Sequence, residues 1–363
     1  MAHHFRSDRS RTHCQPVTVF SLTALSARKS RLALAAFTGL LVLTSAARAE
    51  VSFKGRTVTI YIAGGVGGGV DTFARTLAPY LSKHLPGEPN IVASNMPGGG
   101  GAQAVQYLYN VAAKDGTAIG TTNAGPIGDA LMSTAPLHYD LANLRWIGSL
   151  VKGDTACTVW HQSGINSLEE AKAREVTLTS TGVTSSPTRS ALLMNTLLGT
   201  RFRPIAGYDG GTSLLAIERG EIAGICVTLA SLRTTRPDWL RDKKLKILVH
   251  VALTPDPEFP DVPRAIDLVK TQEHKQMLEF YVLPYEFNNP YYLPPGTSDE
   301  VLATYRKAFD AAVRDPGYLA DTQKRKQTVT PRDGADVMKL VEQLLATPKP
   351  IVQKVIEATA PKQ

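Results

Sequence analysis

No apolar run in this chain is long enough to cross a bilayer as a permanent helix. The longest, Leu32 to Thr44, is about a dozen residues, where a spanning helix needs about twenty. Arg28, Lys29 and Arg31 precede it, and the small-residue stretch Ala47-Arg48-Ala49 follows. Basic, then apolar, then small is the order of a cleaved export signal. Residues 1–49 are therefore expected to be a signal peptide and leader, cut after Ala49, with the processed chain in the periplasm. A twin-arginine pair is absent, and Cys14 lies upstream of the apolar segment, so no lipid anchor is expected at the cut.

A large excess of one charge is lacking as well. The whole chain has 40 Lys and Arg against 32 Asp and Glu, but the first 49 residues hold seven of the bases and one of the acids (Asp8), leaving 33 against 31. So small a net charge is no footprint for a polyanion, and nucleic acid is not an expected partner. Cysteine is scarce: only Cys157 and Cys226 follow the leader, each in an apolar run, TACTVWH and IAGICVT. In an oxidising compartment they could pair; two buried free thiols is the plainer reading.

The parts of an enzyme are missing in the same way. Gly211-Thr212-Ser213 runs on into Leu214 and Leu215, so there is no nucleophile elbow. The histidines after the leader are His84, His138, His161, His250 and His274, and no two are three or four apart as a helical metal pair would be. Glu169-Glu170 and Asp256 with Glu258 read as solvated acids in polar turns. Neither a metal nor a cofactor is called for, and an exported hydrolase lacks a visible base or electrophile.

What is present is a rhythm of strand, turn and helix. TVTIYI (57–62), NIVASN (90–95) and TAIGTTN (117–123) read as strands. Between the first two, Phe73, Leu77 and Leu81 recur at helical spacing, with Pro79 expected to kink their helix. The alternation restarts after Trp146 with CTVWH, VTLTST, RPIAGY, IAGICVT and KILVHVAL. Such units predict two α/β domains with mostly parallel sheets and helices on both faces. A turn-rich segment, NNPYYLPPGTSDE, then leads to helical stretches at 300–314 and 333–345, which are expected to dock back on the first domain.

Glycine gathers where strands end. AGGVGGGVD (63–71) follows the first strand, yet neither nucleotide motif fits: the third glycine of GxGxxG and the lysine of a phosphate loop both fall on Val70. What remains is bare backbone at a helix start, where exposed amides and the helix dipole favour a carboxylate or another small anion. MPGGGG (96–101), TTNAGP (121–126), TSTGVTSSPTRSA (179–191) and GYDGGTS (207–213) repeat the device. In open α/β sheets ligands sit beyond the carboxyl ends of strands, so such loops from two facing domains would enclose a cleft.

The order VTIYIAGGVGGGVD, ASNMPGGGGAQA, AAKDGTAIGTTN, LTSTGVTSSPTRSA, GYDGGTSLLAIERGEIAG, KILVHVALTPDPEFPDVP and YLPPGTSDEVL resembles the Bug (TctC-like) solute-binding proteins of tripartite tricarboxylate transporters across nearly the whole processed chain. The resemblance implies a two-lobed type II periplasmic binding fold of the Venus flytrap kind. Lobe I would be 50–150 with a return at 284–363, and lobe II 151–283. It implies a small carboxylate ligand held mainly by backbone amides and waters, delivery to a membrane permease, and no chemistry on the ligand. Carried over by position, the first-lobe contacts would be Gly67, Gly68, Gly69, Asp71, Asn123 and Ala124. Those of the second lobe would be Ser180, Thr181, Gly182, Thr184, Ser185, Tyr208 and Gly211.

This chain departs from the family where Ala63-Gly64-Gly65-Val66 replaces the usual two prolines, and where Arg189 stands near the place of a common histidine. Arg189 reads as a solvated helix residue or as a partner for a second acid group. Asp71 reads better as a helix cap than as a direct contact, since carboxylate would face carboxylate. Tyr208 either leans over the ligand or packs. A ligand-sensing partner of a signalling receptor is the alternative role, and nothing in the sequence calls for more than a monomer.

Overall fold

The structure is a computed structural model that describes residues 51–133, 138–183, 185–208 and 210–360. The signal peptide, its cleavage point and Thr184 lie outside the described residues. Among the described residues no helix is long and apolar enough to cross a membrane.

The chain from Val51 onward builds two sheets. The first contains β1 (Thr57–Ile62), β2 (Asn90–Asn95), β3 (Ala118–Thr121), β4 (Arg145–Val151), β10 (Asn288–Leu293) and β11 (Arg332–Asp333), in the order β11-β4-β10-β3-β1-β2. The second contains β5 (Thr155–Trp160), β6 (Val176–Ser180), β7 (Phe202–Ala206), β8 (Gly224–Thr228) and β9 (Leu245–Val251), in the order β7-β6-β8-β5-β9. Each sheet is mixed. β1 runs parallel to β2 and β3, and β6 parallel to β7 and β8, as strand-helix-strand units require. The antiparallel neighbours, β4 and β10 in one sheet and β5 in the other, flank the places where the chain crosses between sheets.

There are two such crossings. Lys152–Asp154 joins β4 to β5, and the 3-10 turn Leu283–Phe287 brings the chain back into β10. They lie side by side, the Gly153 N–H donating to the Tyr285 carbonyl at 2.7 Å. The two connections are adjacent, and one apolar cluster is continuous across them, with Val105, Leu108, Trp146 and Tyr292 from the first-sheet side and Cys157, Leu178 and Val249 from the second.

Local sequence explains most elements. In β1 every second residue, Val58, Ile60 and Ile62, is fully buried, the period of a strand against a core. Helix α1 (Gly69–His84) buries Ala74, Leu77 and Leu81 and continues through Pro79 to its basic last turn, Lys83-His84. β4 and β10 were less legible. RWIGSLV is buried on both faces, so it has no alternation to betray it. NNPYYL carries a proline and turn residues, and instead of the turn-rich segment it suggests, it forms a strand at the middle of the first sheet. Burial decides that: Tyr291, Tyr292 and Leu293 are inaccessible to solvent, and Asn289 absorbs the sharp entry at φ 51°.

The remaining helices are α2 (Ala102–Asn110), α3 (Ala124–Met132), α4 (Leu168–Ala173), α5 (Ser186–Leu198), α6 (Gly210–Glu218), α7 (Leu229–Thr235), α8 (Pro237–Arg241), α9 (Ala265–Leu268), α10 (Gln272–Val282), α11 (Asp299–Ala312), α12 (Pro316–Lys324), α13 (Gly334–Leu345) and α14 (Lys349–Thr359). α11 and α13 pack on β4 of the first sheet, while α14 lies against α5, α10 and α3. Cys157 and Cys226 face each other in register on β5 and β8, and their sulfurs are bonded at 2.00 Å. Pairing, not two free thiols, is thus what the strand register imposes on two buried cysteines.

Candidate ligand cleft

The carboxyl ends of β2, β3 and β6 and the start of α7 open into one cavity of about 720 Å³ beside the crossing strands, within the usual size of a small-molecule site. Several of its walls are loops that run straight into a helix.

After β2 the chain turns through Gly98, Gly99, Gly100 and Gly101, all at positive φ. Only glycine takes four such residues in succession without strain. At Gly101 a Cβ would also meet Pro126 Cγ at 2.9 Å and Ala63 Cβ at 3.2 Å, so the turn seats the start of α2 tightly against α3. After β3, Asn123 caps α3, its Oδ1 accepting the Gly125 N–H at 2.9 Å. The Ala124 N–H donates to Asn288 Oδ1 at 2.8 Å, tying this loop to the returning strand.

After β6 three hydroxyls converge on one carbonyl. The Gly182 oxygen accepts from Ser180 Oγ at 2.9 Å, Ser185 Oγ at 2.8 Å and Thr188 Oγ1 at 2.7 Å. The loop that reaches the cavity is therefore fixed from behind, with Ser185 as N-cap of α5 and Pro187 in its first turn. Ser190 on the same helix bonds the Tyr281 hydroxyl at 2.8 Å. The residues that open α3 and α5, with Gly99 and Gly100 ahead of α2, thus line one shared space.

Among the described residues lining the cavity only two are charged, and they are bonded to each other. Arg189, one turn into α5, donates through Nη1 to Asp129 Oδ1 on α3, joining the two sheets' helices across the cavity. The rest of the lining mixes polar groups, among them Thr155, Thr228 and Ser231 on the second-sheet side and Tyr285 and Asn288 from the return crossing, with the apolar Pro187, Cys226 and Val227. Among the described residues no group of three or more His, Cys, Asp or Glu side chains is placed to hold a metal ion.

The residues expected from sequence fall into three sets. Asn123, Ala124, Thr181, Gly182 and Ser185 line the cavity together. Ser180 and Gly211 line an adjoining hollow of about 330 Å³ that shares Thr181, Pro187, Val227 and Ser231 with it. Gly67, Gly68, Gly69, Asp71 and Tyr208 line neither. Tyr208 donates its N–H to the Ser180 carbonyl at 3.1 Å.

The first glycine loop is closed on itself. Asp71 is 2% exposed and accepts from the Gly67 N–H at 2.8 Å, Asn95 Nδ2 at 2.9 Å and Arg75 Nε at 2.8 Å. Burial pushes its carboxyl up, but these three donors outweigh burial and hold it below the ordinary aspartate range. Asp71 is a builder of the turn, which accounts for an acid in a region whose amides favour anions.

Sequence reasoning missed Asp129, Thr155, Tyr285 and Asn288. Asp129 had a faint signal, lying on the second turn of a helix that starts at a strand end. Tyr285 and Asn288 had none, because more than fifty residues separate them along the chain from any other residue lining the cavity.

Against this geometry the comparisons are consistent with one another. The family model described as "Tripartite tricarboxylate transporter family receptor" matches residues 73–356. A UPF0065 protein of Bordetella bronchiseptica is 25% identical over 282 residues, 76% of this chain and 79% of that one. Among solved structures, a TctC solute binding protein from Polaromonas, without ligand, superposes with TM-score 0.66 at 18% identity, covering 84% of this chain and all of that one. MatC from Rhodopseudomonas palustris, with bound malate, superposes with TM-score 0.60 at 21% identity, covering 83% of this chain and all of that one.

Proposed function

This chain belongs to the tripartite tricarboxylate transporter receptor family, and from that premise we propose that it captures one small carboxylate in the cleft and hands it, unchanged, to a membrane permease. The observation that carries the reading is the cavity itself: loops from two separate sheets, joined by two adjacent crossings, end in amide, hydroxyl and helix-start groups around one space. A carboxylate exchanges water for donors that are already fixed, so it loses little on entering. Thr181, Gly182 and Ser185 are assigned to one side of it and Asn123 with the start of α3 to the other.

Closure follows from the same arrangement. Contacts to both lobes exist together only in the closed form, so the ligand shifts the hinge equilibrium by its preference for that form. The closed pair of lobes is what a permease would recognise, and docking that reopens them would release the ligand. Export through the leader and cleavage after Ala49 belong to the same proposal, as does a monomeric receptor.

The test is a thermal-shift screen of refolded processed protein against monocarboxylates, dicarboxylates, tricarboxylates and amino acids, with each acid quantified after incubation. At a hundredfold excess over Kd a genuine ligand adds roughly 2.7 kcal/mol of stability. Flat melting curves with every acid, or consumption of one, would sink the reading.

A further inference from the structure

The ion pair across the cavity narrows the class of acid, an assignment that rests on the carboxylate-receptor reading above. We infer that Asp129, by occupying Arg189, makes the cleft select acids that carry a single negative charge and a neutral, hydrogen-bonding remainder.

A second carboxylate would find the cation already taken. Arg189 is the one cation among the described residues lining the cavity, and its Nη1 is bound to Asp129 Oδ1. The pair is therefore close to neutral as a unit. A first carboxylate has the start of α5, Ser185 to Pro187, to lie against. A second one has no uncommitted cation and must approach the Asp129 carboxylate, and like charges repel more strongly as the closing lobes expel water. Hydroxyls are the better-matched neighbours: Thr155, Ser190, Thr228 and Ser231 line the same space and suit neutral polar groups.

The pair is also open to rearrangement. The Arg189 side chain is 24% exposed and that of Asp129 40%, so neither is locked in a dry core, and removing one frees the other. Selectivity of this kind works by exclusion, since a repulsive group discriminates without adding to affinity for the accepted ligand. Deleting Asp129 should then convert Arg189 from a neutralised group into a docking point for a second carboxylate, with bidentate geometry available on its remaining N–H groups.

The experiment compares acids that differ by one charge and little else: succinate, glutarate, adipate and terephthalate, each against its own monoamide, by calorimetric titration at low salt. The wild-type protein should bind the best monoamide at least about tenfold more tightly than its dicarboxylate. Asp129→Asn should reverse that order, and Asp129→Asn with Arg189→Gln should lose the gain. Asp129→Ser, smaller and uncharged, must show the same reversal, which separates charge from any local distortion; circular dichroism checks that each variant is folded. The inference is overturned if the wild type prefers the dicarboxylates, or if the Asp129 variants leave the ratio where it was; either result leaves the carboxylate receptor standing. Binding of neither series removes the carboxylate reading and this inference with it.

Discussion

Asp154 offers the sharpest test of the hinge's energetics. It ends the Lys152–Asp154 crossing, and its carboxyl meets that of Asp256, beside Arg233 on α7. Burial first, and the neighbouring Asp256 second, push the Asp154 carboxyl up to about 7. Asp256 is held below its ordinary range: burial opposes this, but the Asp154 hydrogen bond and Arg233 outweigh it. The pair thus shares one proton, as two close carboxyls must when only one can ionise cheaply. Between an unfolded pKa of about 4 and a folded one near 7, the native state holds a proton the unfolded chain has released. Stability contributed here is complete below about pH 4, falls as pH rises at up to about 1.4 kcal/mol per unit, and is lost above about pH 7. Over roughly three units the ceiling is about 4 kcal/mol, and relaxation around the charged pair reduces it to about 2 to 4.

Asp154→Asn keeps a donor toward Asp256 without a proton to lose. The variant should match the wild type near pH 4 and exceed it by about 2 to 4 kcal/mol at pH 8. Urea unfolding followed by circular dichroism at each pH unit from 4 to 8 measures both curves. Parallel profiles for the two proteins would refute the shared proton and with it this account of how the crossing strand is anchored.

Three further outcomes follow from the same geometry. The Cys157–Cys226 bond closes a span of 69 residues, so replacing both by alanine should cost about 4 kcal/mol on chain-entropy grounds; thiol titration in denaturant without reductant should find neither cysteine free, and two free thiols would contradict it. Asp71→Asn leaves the donors of Gly67, Arg75 and Asn95 facing a neutral group and should lose about 2 kcal/mol at pH 7. That loss should shrink below about pH 4, because a depressed carboxylate gives its stabilisation only while ionised; an unchanged urea midpoint at pH 7 would refute it. A Cβ at Gly182 meets nothing within 4 Å, so Gly182→Val should melt close to the wild type yet lose binding of whichever acid the screen identifies, and retained affinity would move the site elsewhere.

How much of this could be read in the residues differs from element to element. Val58, Ile60 and Ile62 announce a strand by period two, and Leu77 and Leu81 a helix by their spacing, because burial on one face writes a pattern into the chain. The glycine and serine loops announce helix starts, since only certain residues take positive φ or cap an orphan N–H. β4 and β10 leave no such mark: buried on both faces, they need no alternation. The loop at Gly67–Gly69, expected as a ligand contact from the family resemblance, lines neither hollow, and its Gly67 N–H is taken up by Asp71 four residues on.

Sequence alone therefore determined the local chemistry: which turns expose backbone and which helices begin at strand ends. Tertiary structure decided what meets what. That Arg189 is spent on Asp129, that Asn288 reaches back to Ala124, that Asp154 lies beside Asp256 and that Cys157 lies opposite Cys226 are all contacts between residues 60 or more positions apart. Their pairing depends on strand order and on where the chain crosses between sheets, quantities set by packing of the whole and carried by no single stretch of it.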